Sequence, residues 1–206
     1  MISAINEALN QPLEGVDLTT FGNTHTGKVR DMCVLEERRI LVTTDRVSAF
    51  DRVLGTIPYK GQVLNQLSGW WFNQLGDVVN NHMISMPDPN VMITHEAEPL
   101  PVEVIVRGYI TGSTSTSLWT LYDEGVDRPY GLELPEGLVK NAKLPAPVIT
   151  PTTKAAAGEH DERLTSAEVL ERGLVEPKLW AQVQRVALDI FAAGHVPNSI
   201  FIGLDG

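Results

Sequence analysis

The sequence is constrained most strongly by residues 101–113, which read PVEVIVRGYITGS. Four β-branched residues precede Arg107, and such a run is typical of a buried strand. A glycine turn and a hydroxyl-rich segment, residues 112–117, follow the arginine. An apolar pattern then predicts a short helix that ends near Gly125. The order of the parts is therefore strand, arginine, glycine turn, hydroxyls and helix start.

Two interpretations of this stretch remain open. In the first, the guanidinium of Arg107, the hydroxyls and the backbone N–H groups at the helix start bind an anion such as a phosphate monoester. In the second, Arg107 pairs with a carboxylate inside the fold, and the Ser and Thr side chains only cap the helix. The residues of this stretch do not favour one over the other.

Charge and cysteine content exclude some classes of protein. A length of 206 residues allows one large domain or two small ones. The formal net charge of −10 argues against sequence-independent binding of nucleic acid, whose phosphates attract basic surfaces. The single cysteine, Cys33, permits no intramolecular disulfide and predicts a reducing compartment. No apolar run approaches the ~18 residues of a membrane span. We therefore expect a cytoplasmic globular protein with no nucleic-acid or membrane partner.

A β-hairpin is predicted near the N-terminus, with strands at residues 29–35 and 40–44. The preceding residues also spell G-x-x-x-x-G-K, the start of a nucleotide-binding P-loop. Val29 stands where that motif has Ser or Thr, and the next segment alternates like a strand, so we reject the P-loop. A glycine turn between antiparallel strands can instead cover nucleotide phosphates, with Lys28 and Arg30 on the same face.

The rest of the first half combines charge with apolar periodicity. Residues 45–52, DRVSAFDR, are dense in charge. They either belong to a functional site or form structural ion pairs between neighbouring loops. Apolar residues from position 62 onward recur at helical spacing. We expect Trp70 and Trp71 to be core or sheet-packing residues and not a stacking platform. Proline-broken short strands should follow, and the prolines near residue 100 predict a boundary between two lobes.

The second half predicts helices around an irregular segment. A Pro/Gly-rich loop should run through residue 147. Residues 150–162 contain lysine, histidine and carboxylates, and they form either a functional loop or a polar surface loop. Residues 165–168 form a capping box that opens a helix, and Pro177 begins another helix with an apolar stripe. A short strand over residues 199–203 should finish the chain.

Several of these segments occur together, in this order, in one known family. The segments are residues 27–31, 44–51, 101–113 and 154–162. On these motifs the chain resembles the SAICAR synthetases (phosphoribosylaminoimidazole-succinocarboxamide synthases), up to about residue 194. The resemblance implies a two-lobe α+β fold. Residues 1–99 would form a lobe with an antiparallel sheet, and residues 100–206 an incomplete, ATP-grasp-like lobe of mixed helices and strands.

The resemblance implies an ATP-dependent ligase of purine biosynthesis. Such an enzyme joins L-aspartate to 5-amino-1-(5-phosphoribosyl)imidazole-4-carboxylate and gives SAICAR, ADP and phosphate. A carboxylate is a poor electrophile, so its phosphorylation by ATP would create an acyl phosphate with a good leaving group. Catalysis then depends mainly on positioning and on charge neutralisation. ATP and Mg²⁺ are the implied cofactors.

The resemblance also implies roles for individual residues, though it points to no catalytic residue. ATP would be bound by Gly27, Lys28, Val29, Arg30 and the backbone around Glu103. Arg107 and Ser113 match the family's contacts to the ribonucleotide phosphate and the imidazole. The residues expected around the substrate carboxylate and the incoming aspartate are Ser48, Asp51, Lys154, His160 and Asp161.

One part of the family's pattern has no counterpart in this sequence. Family members continue into a strand of the form D-x-K-x-E-F-G and then into acidic residues that hold magnesium. Here residues 200–206 read IFIGLDG, so we expect the C-terminal part of the family's chain to be lacking. A catalytically silent nucleotide-binding remnant of the family is therefore an alternative function. A phosphotransferase that acts on another small molecule is a third.

Overall fold

A computed structural model of the chain describes residues 9–49, 52–154 and 161–194 and the backbone of residues 200–202. The chain divides into two compact units, one up to Glu98 and one from Pro99. Each unit combines helices with antiparallel sheet, so the fold is α+β. Within these described ranges, no helix has the combination of length and apolar character that crossing a membrane requires.

The first unit is built on antiparallel strands. In chain order they are β1 (Asn23–Thr26), β2 (Arg30–Leu35), β3 (Arg38–Thr43), β4 (Arg46–Ala49), β5 (Arg52–Thr56), β6 (Met83–Asp88) and β7 (Val91–His95). Five of them form one sheet in the order β1-β2-β3-β7-β6, and β4 pairs with β5. The predicted hairpin is confirmed by β2 and β3. The rejection of the P-loop is also confirmed, because the G-x-x-x-x-G-K segment leads into a strand.

Helix α1 (Lys60–Gln74) packs on this sheet through its smallest residues. The buried positions of the helix are Gly61, Asn65 and Gly69. A Cβ at Gly61 would overlap the carbonyl of Thr43, so the glycine allows the helix backbone to approach β3 closely. The apolar pattern predicted the helix correctly but gave the wrong buried face. Trp70 is 51% exposed and so does not lie in the core, and Trp71 is half-buried.

The second unit is organised around a central strand, β8 (Val102–Tyr109). This strand pairs with β9 (Lys143–Thr153) on one side and β10 (Ile200–Ile202) on the other. The helices are α2 (Leu118–Asp123), α3 (Ser166–Glu171) and α4 (Pro177–Gly194), and a 3₁₀ turn spans Pro129–Gly131. The main core joins alternate residues of β8 to α3 and α4, with Val104, Val106, Val169 and Trp180 almost fully buried.

Strand β9 corrects two predictions made from the sequence. Its eleven residues cover the end of the predicted Pro/Gly-rich loop and the start of the predicted irregular segment. Three prolines, at positions 145, 147 and 151, concealed the strand. Because β9 lies at the edge of the described sheet, it can lack some N–H donors without breaking the ladder.

The predictions for the C-terminal helices are confirmed. Thr165 and Glu168 form the capping box of α3: Thr165 Oγ1 accepts from the N–H of Glu168 at 3.1 Å, and Glu168 Oε2 accepts from the N–H of Thr165 at 2.7 Å. Helix α4 begins at Pro177, as the sequence indicates. The short final strand is present as β10, which pairs with residues 104–106 of β8.

Candidate functional site

A cleft of about 400 Å³ opens in the second unit beside strand β8. Its polar lining combines two arginines, two carboxylates and six hydroxyls. They belong to Arg107 and Arg163, to Glu103 and Asp161, and to Ser113, Thr114, Thr116, Ser117, Tyr130 and Thr152. Four residues with a predicted role therefore meet in one cleft, namely Glu103, Arg107, Ser113 and Asp161. A lining of guanidinium and hydroxyl groups suits an anionic ligand.

Arg107 is the half-buried cation of this cleft. Its Nε atom donates a hydrogen bond to Oγ1 of Thr150, on the neighbouring strand β9, at 2.9 Å. Across the described residues no carboxylate forms an ion pair with it. Burial lowers the pKa of the Arg107 guanidinium, but an arginine stays charged at neutral pH. The geometry therefore favours the anion-binding interpretation of this residue over the buried ion pair.

The glycine turn after β8 depends on Gly112. Its φ of +118° lies in the region that residues with a side chain rarely adopt. A Cβ at this position would also overlap the side chain of Ser117. The absence of a side chain at Gly112 therefore lets the loop fold back on itself, and this loop presents Ser113 and Thr114 to the cleft.

The hydroxyls of the loop divide into structural and exposed groups. Buried Ser117 caps helix α2, because its Oγ accepts from the N–H of Thr120 at 3.3 Å. Ser113, Thr114 and Thr116 are exposed in the cleft. Helix α2 has only six residues, and its cap already uses one N–H at its start. The hydrogen-bond donors that face the cleft are therefore mainly side chains of Arg, Ser and Thr, and the start of helix α2 contributes less than predicted.

Tyr130 belongs to the cleft although the sequence gave no periodic signal for it. Its hydroxyl donates to the backbone oxygen of Thr116 at 2.9 Å and so ties the 3₁₀ turn to the hydroxyl loop. Burial raises the pKa of this hydroxyl, and the positive charges of Arg107 and Arg163 act in the opposite direction. Tyr130 stands between a proline and a glycine in a segment that the sequence marked only as a loop.

Three backbone segments place Glu103, Thr152 and Arg163 side by side. Glu103 on β8 is the register partner of Thr152 on β9, and Thr152 forms an isolated β-bridge with Arg163. The hydroxyl of Thr152 is buried and has no hydrogen-bond partner among the described residues. Thr152 and Arg163 were missed by sequence reasoning, because the prolines of β9 concealed the pairing that brings them to the cleft.

The residues predicted to bind ATP phosphates lie in the first unit. Gly27, Lys28 and Val29 connect β1 to β2, and β2 begins at Arg30. Arg46 fixes this turn: its Nη2 and Nε donate to the backbone oxygens of Gly27 and Lys28, each at 3.0 Å. These two hydrogen bonds hold the backbone of the turn between β1 and β2 in place. Glu103, which was grouped with these residues, lies instead in the cleft with Arg107, and its role at ATP stays a prediction.

The charged segment after β3 is structural at its first two positions. Asp45 is buried, and its carboxylate accepts from the N–H groups of Leu13 at 2.9 Å and Gly61 at 2.8 Å. Arg46 forms an ion pair with buried Asp31 at 2.9 Å. Of the other predicted residues, Ser48 lies on β4 and Lys154 directly follows β9. Asp51 and His160 lie outside the described residues.

Over the part of the chain that the structure describes, no three His, Cys, Asp or Glu side chains are grouped so as to hold a metal ion. Glu103 and Asp161 are the two carboxylates of the cleft. This arrangement does not by itself amount to a magnesium site.

Fold and site together define an α+β protein whose second unit carries a cleft suited to an anionic small molecule. The family described as SAICAR synthetase matches residues 23–196. The phosphoribosylaminoimidazole-succinocarboxamide synthase of Legionella pneumophila (strain Lens) is 51% identical over 174 residues, which are 84% of this chain and 55% of that protein.

Solved structures agree with this match. The SAICAR-synthase from Saccharomyces cerevisiae complexed with SAICAR is 31% identical, with a TM-score of 0.74 over 87% of this chain and 64% of that one. A SAICAR synthetase (Type-2) in complex with ADP has a TM-score of 0.65 over 83% of this chain and 66% of that one. At 21% identity, this second likeness shows the fold alone.

The chain belongs to the SAICAR synthetase family. It spans about half the length of the curated relatives that it matches.

Proposed function

We propose that this chain acts in the ATP-dependent joining of L-aspartate to 5-amino-1-(5-phosphoribosyl)imidazole-4-carboxylate, which gives SAICAR, ADP and phosphate. The observation that carries the proposal is Arg107, a half-buried guanidinium that is oriented by Thr150 and has no carboxylate partner among the described residues. The Legionella pneumophila relative has this activity in its name, and the Saccharomyces cerevisiae structure contains the product.

The reaction proceeds in two balanced steps. An oxygen of the imidazole carboxylate attacks the γ-phosphorus of ATP, the bond to the β-phosphate oxygen breaks, and ADP leaves. The amine of aspartate then attacks the carbonyl carbon of the acyl phosphate. The C–O bond to phosphate breaks, phosphate leaves, and the nitrogen loses a proton to give the amide. Both steps join anions, so cations that neutralise charge and fix the reactants supply much of the catalysis.

The ribonucleotide is assigned to the cleft of the second unit. The guanidinium of Arg107 and the hydroxyl of Ser113 bind its phosphate and imidazole ends. In the second unit, Lys154 and Asp161 contribute to the part of the site that receives aspartate. Roles for Ser48, Asp51 and His160 in binding the substrate carboxylate or aspartate stay predictions. This arrangement is supported by the cleft that joins Arg107, Ser113 and Asp161.

ATP is assigned to the turn at residues 27–30 of the first unit. A role at ATP for the backbone around Glu103 stays a prediction. The bracing of the turn by Arg46 supports the role of the turn, because a fixed backbone binds phosphates without first losing conformational freedom. Mg²⁺ would accompany ATP, but the described residues do not build its site and we assign no step to it. The reaction is placed in the cytoplasm.

The proposal is tested by incubating the chain with MgATP, aspartate and the carboxylated ribonucleotide, and by measuring ADP and SAICAR. We expect ADP release that requires both other substrates and equals SAICAR formation. A second candidate is a ribonucleotide-binding protein without ligase activity. Ribonucleotide binding without turnover would favour that candidate. An absence of ribonucleotide binding would contradict both.

A further inference from the structure

Arg163 lines the cleft from the segment that follows β9 in the chain, whereas the hydroxyl loop follows β8. The β-bridge between Thr152 and Arg163 fixes its backbone beside β9, and β9 pairs with β8, which carries Arg107. Two arginines from distant parts of the sequence therefore line the same 400 Å³ cleft. The family resemblance gave Arg163 no role.

The guanidinium of Arg163 is exposed and has no ion-pair partner among the described residues. The neighbouring carboxylate, Glu162, is already engaged by Arg172, whose Nη1 and Nη2 donate to it at 2.8 Å and 3.0 Å. This bidentate pair satisfies Glu162 and leaves the charge of Arg163 to the cleft.

A second observation links both arginines to Tyr130, a group that lines the same cleft. The positive charges of Arg107 and Arg163 both act on the hydroxyl of Tyr130 and oppose the rise of its pKa caused by burial. Tyr130 lines the cleft, and its hydroxyl donates to Thr116 in the hydroxyl loop. Arg107, Arg163 and Tyr130 therefore line one cleft together with that loop.

We propose that Arg163 is a second cationic ligand of the phosphate bound by Arg107. The inference rests on the proposed function and adds a residue to the same site. A phosphate monoester carries a charge of about −1.5 to −2 at neutral pH, which a single guanidinium does not neutralise. Half-buried Arg107, held by Thr150, and exposed Arg163 supply two positive charges to a cleft that also contains the carboxylates of Glu103 and Asp161.

The contributions of the two arginines to binding should depend differently on salt concentration. Salt screens an exposed charge more strongly than a half-buried one, so the contribution of Arg163 should decrease at high ionic strength. The contribution of Arg107 should persist. Loss of the Arg163 contact should weaken binding of the phosphorylated ligand roughly tenfold at low salt.

The test uses the carboxamide analogue of the ribonucleotide, which has the phosphate but no reactive carboxylate, and the riboside that lacks the phosphate. Calorimetric titrations at low and high salt compare the wild type with Arg163→Gln, Arg163→Lys and Arg185→Gln. Arg185, an exposed arginine of α4 that does not line the cleft, is the matched control for removal of one charge.

We expect Arg163→Gln to weaken the ribonucleotide about tenfold at low salt and less at high salt, with the riboside unchanged. Arg163→Lys, which keeps the charge, should fall between Arg163→Gln and the wild type, and Arg185→Gln should match the wild type. Wild-type affinity in Arg163→Gln, or an equal loss of affinity for ribonucleotide and riboside, would overturn the role of Arg163 and leave the proposed function standing. If the wild type does not prefer the ribonucleotide, the phosphate site of the proposed function fails, and the inference fails with it.

Discussion

Arg107 and Thr150 are linked across strands β8 and β9 by a hydrogen bond of 2.9 Å from Nε to Oγ1. Thr150 is fully buried, and its own hydroxyl donates to the backbone oxygen of Ile105 at 3.4 Å. The buried hydroxyl of Thr150, which a ligand cannot reach, therefore orients the guanidinium of Arg107. The two terminal nitrogens of Arg107 are left to bind a ligand in the cleft.

Thr150→Val should destabilise the protein by about 1–3 kcal/mol, because Nε of the half-buried Arg107 loses its acceptor. It should also weaken ribonucleotide binding, since Arg107 is no longer held in place. The matched control is Thr152→Val on the same strand, whose buried hydroxyl has no partner among the described residues. That change should leave the free energy of unfolding unchanged or slightly raise it. Equal losses in both variants, measured by urea denaturation, would contradict the account of Thr150.

Gly112→Ala should be more destabilising than Gly125→Ala, although both glycines have positive φ, +118° and +77°. The added methyl group meets the Ser117 side chain at Gly112, whereas no atom lies within 4 Å of a Cβ at Gly125. Overpacking of this kind adds about 1–3 kcal/mol to the cost of the left-handed backbone. Denaturation curves of the two variants measure the difference. Similar values would show that the turn tolerates a side chain at Gly112.

The sequence predicted those features that depend on short stretches. The hairpin of β2 and β3 and the strand, arginine and glycine turn of residues 102–113 follow from local alternation and turn chemistry. The capping box of Thr165 follows from four consecutive residues. The part of the cleft that lies on these segments, Arg107 and Ser113, was therefore recognised from the sequence.

The rest of the site depends on pairings that local patterns do not encode. Prolines concealed β9, and with it the register that brings Thr152 and Arg163 beside Glu103. Helix α1 shows the same limit for packing: apolar spacing marked Trp70, but the buried face is made of small residues that let two backbones approach. The buried face of α1 is therefore determined by the size of the side chains between the helix and the sheet.

The stability of the first unit should depend on the protonation of His82. Burial lowers the pKa of this histidine below its usual 6.5, and the charges of Arg30, Arg39 and His95 act in the same direction. The folded state therefore binds a proton less readily than the unfolded state. Stability is complete above pH 6.5 and decreases as the pH falls below it.

His82→Gln removes this titration, so the variant should lose less stability than the wild type between pH 7.5 and pH 5.5. Denaturation at pH 8, where the histidine is neutral in both states, gives the intrinsic effect of the substitution. If the free energy of unfolding changed with pH equally in the wild type and in His82→Gln, the role given to the protonation of His82 would be contradicted.

We propose that the cleft of the second unit binds the phosphate of an imidazole ribonucleotide through the bidentate fork of Arg107. The most direct measurement is a titration of wild type and Arg107→Lys with the carboxamide analogue of the ribonucleotide, with its riboside and with ATP. Arg185→Lys provides the control for an exposed arginine, and a melting curve reports the folding of each variant.

Lysine keeps the charge but loses the fork, so the ribonucleotide should bind Arg107→Lys roughly ten- to a hundredfold more weakly than wild type. The affinities for the riboside and ATP should change little, and Arg185→Lys should behave as wild type. Unchanged ribonucleotide affinity in a stably folded Arg107→Lys protein would contradict the account.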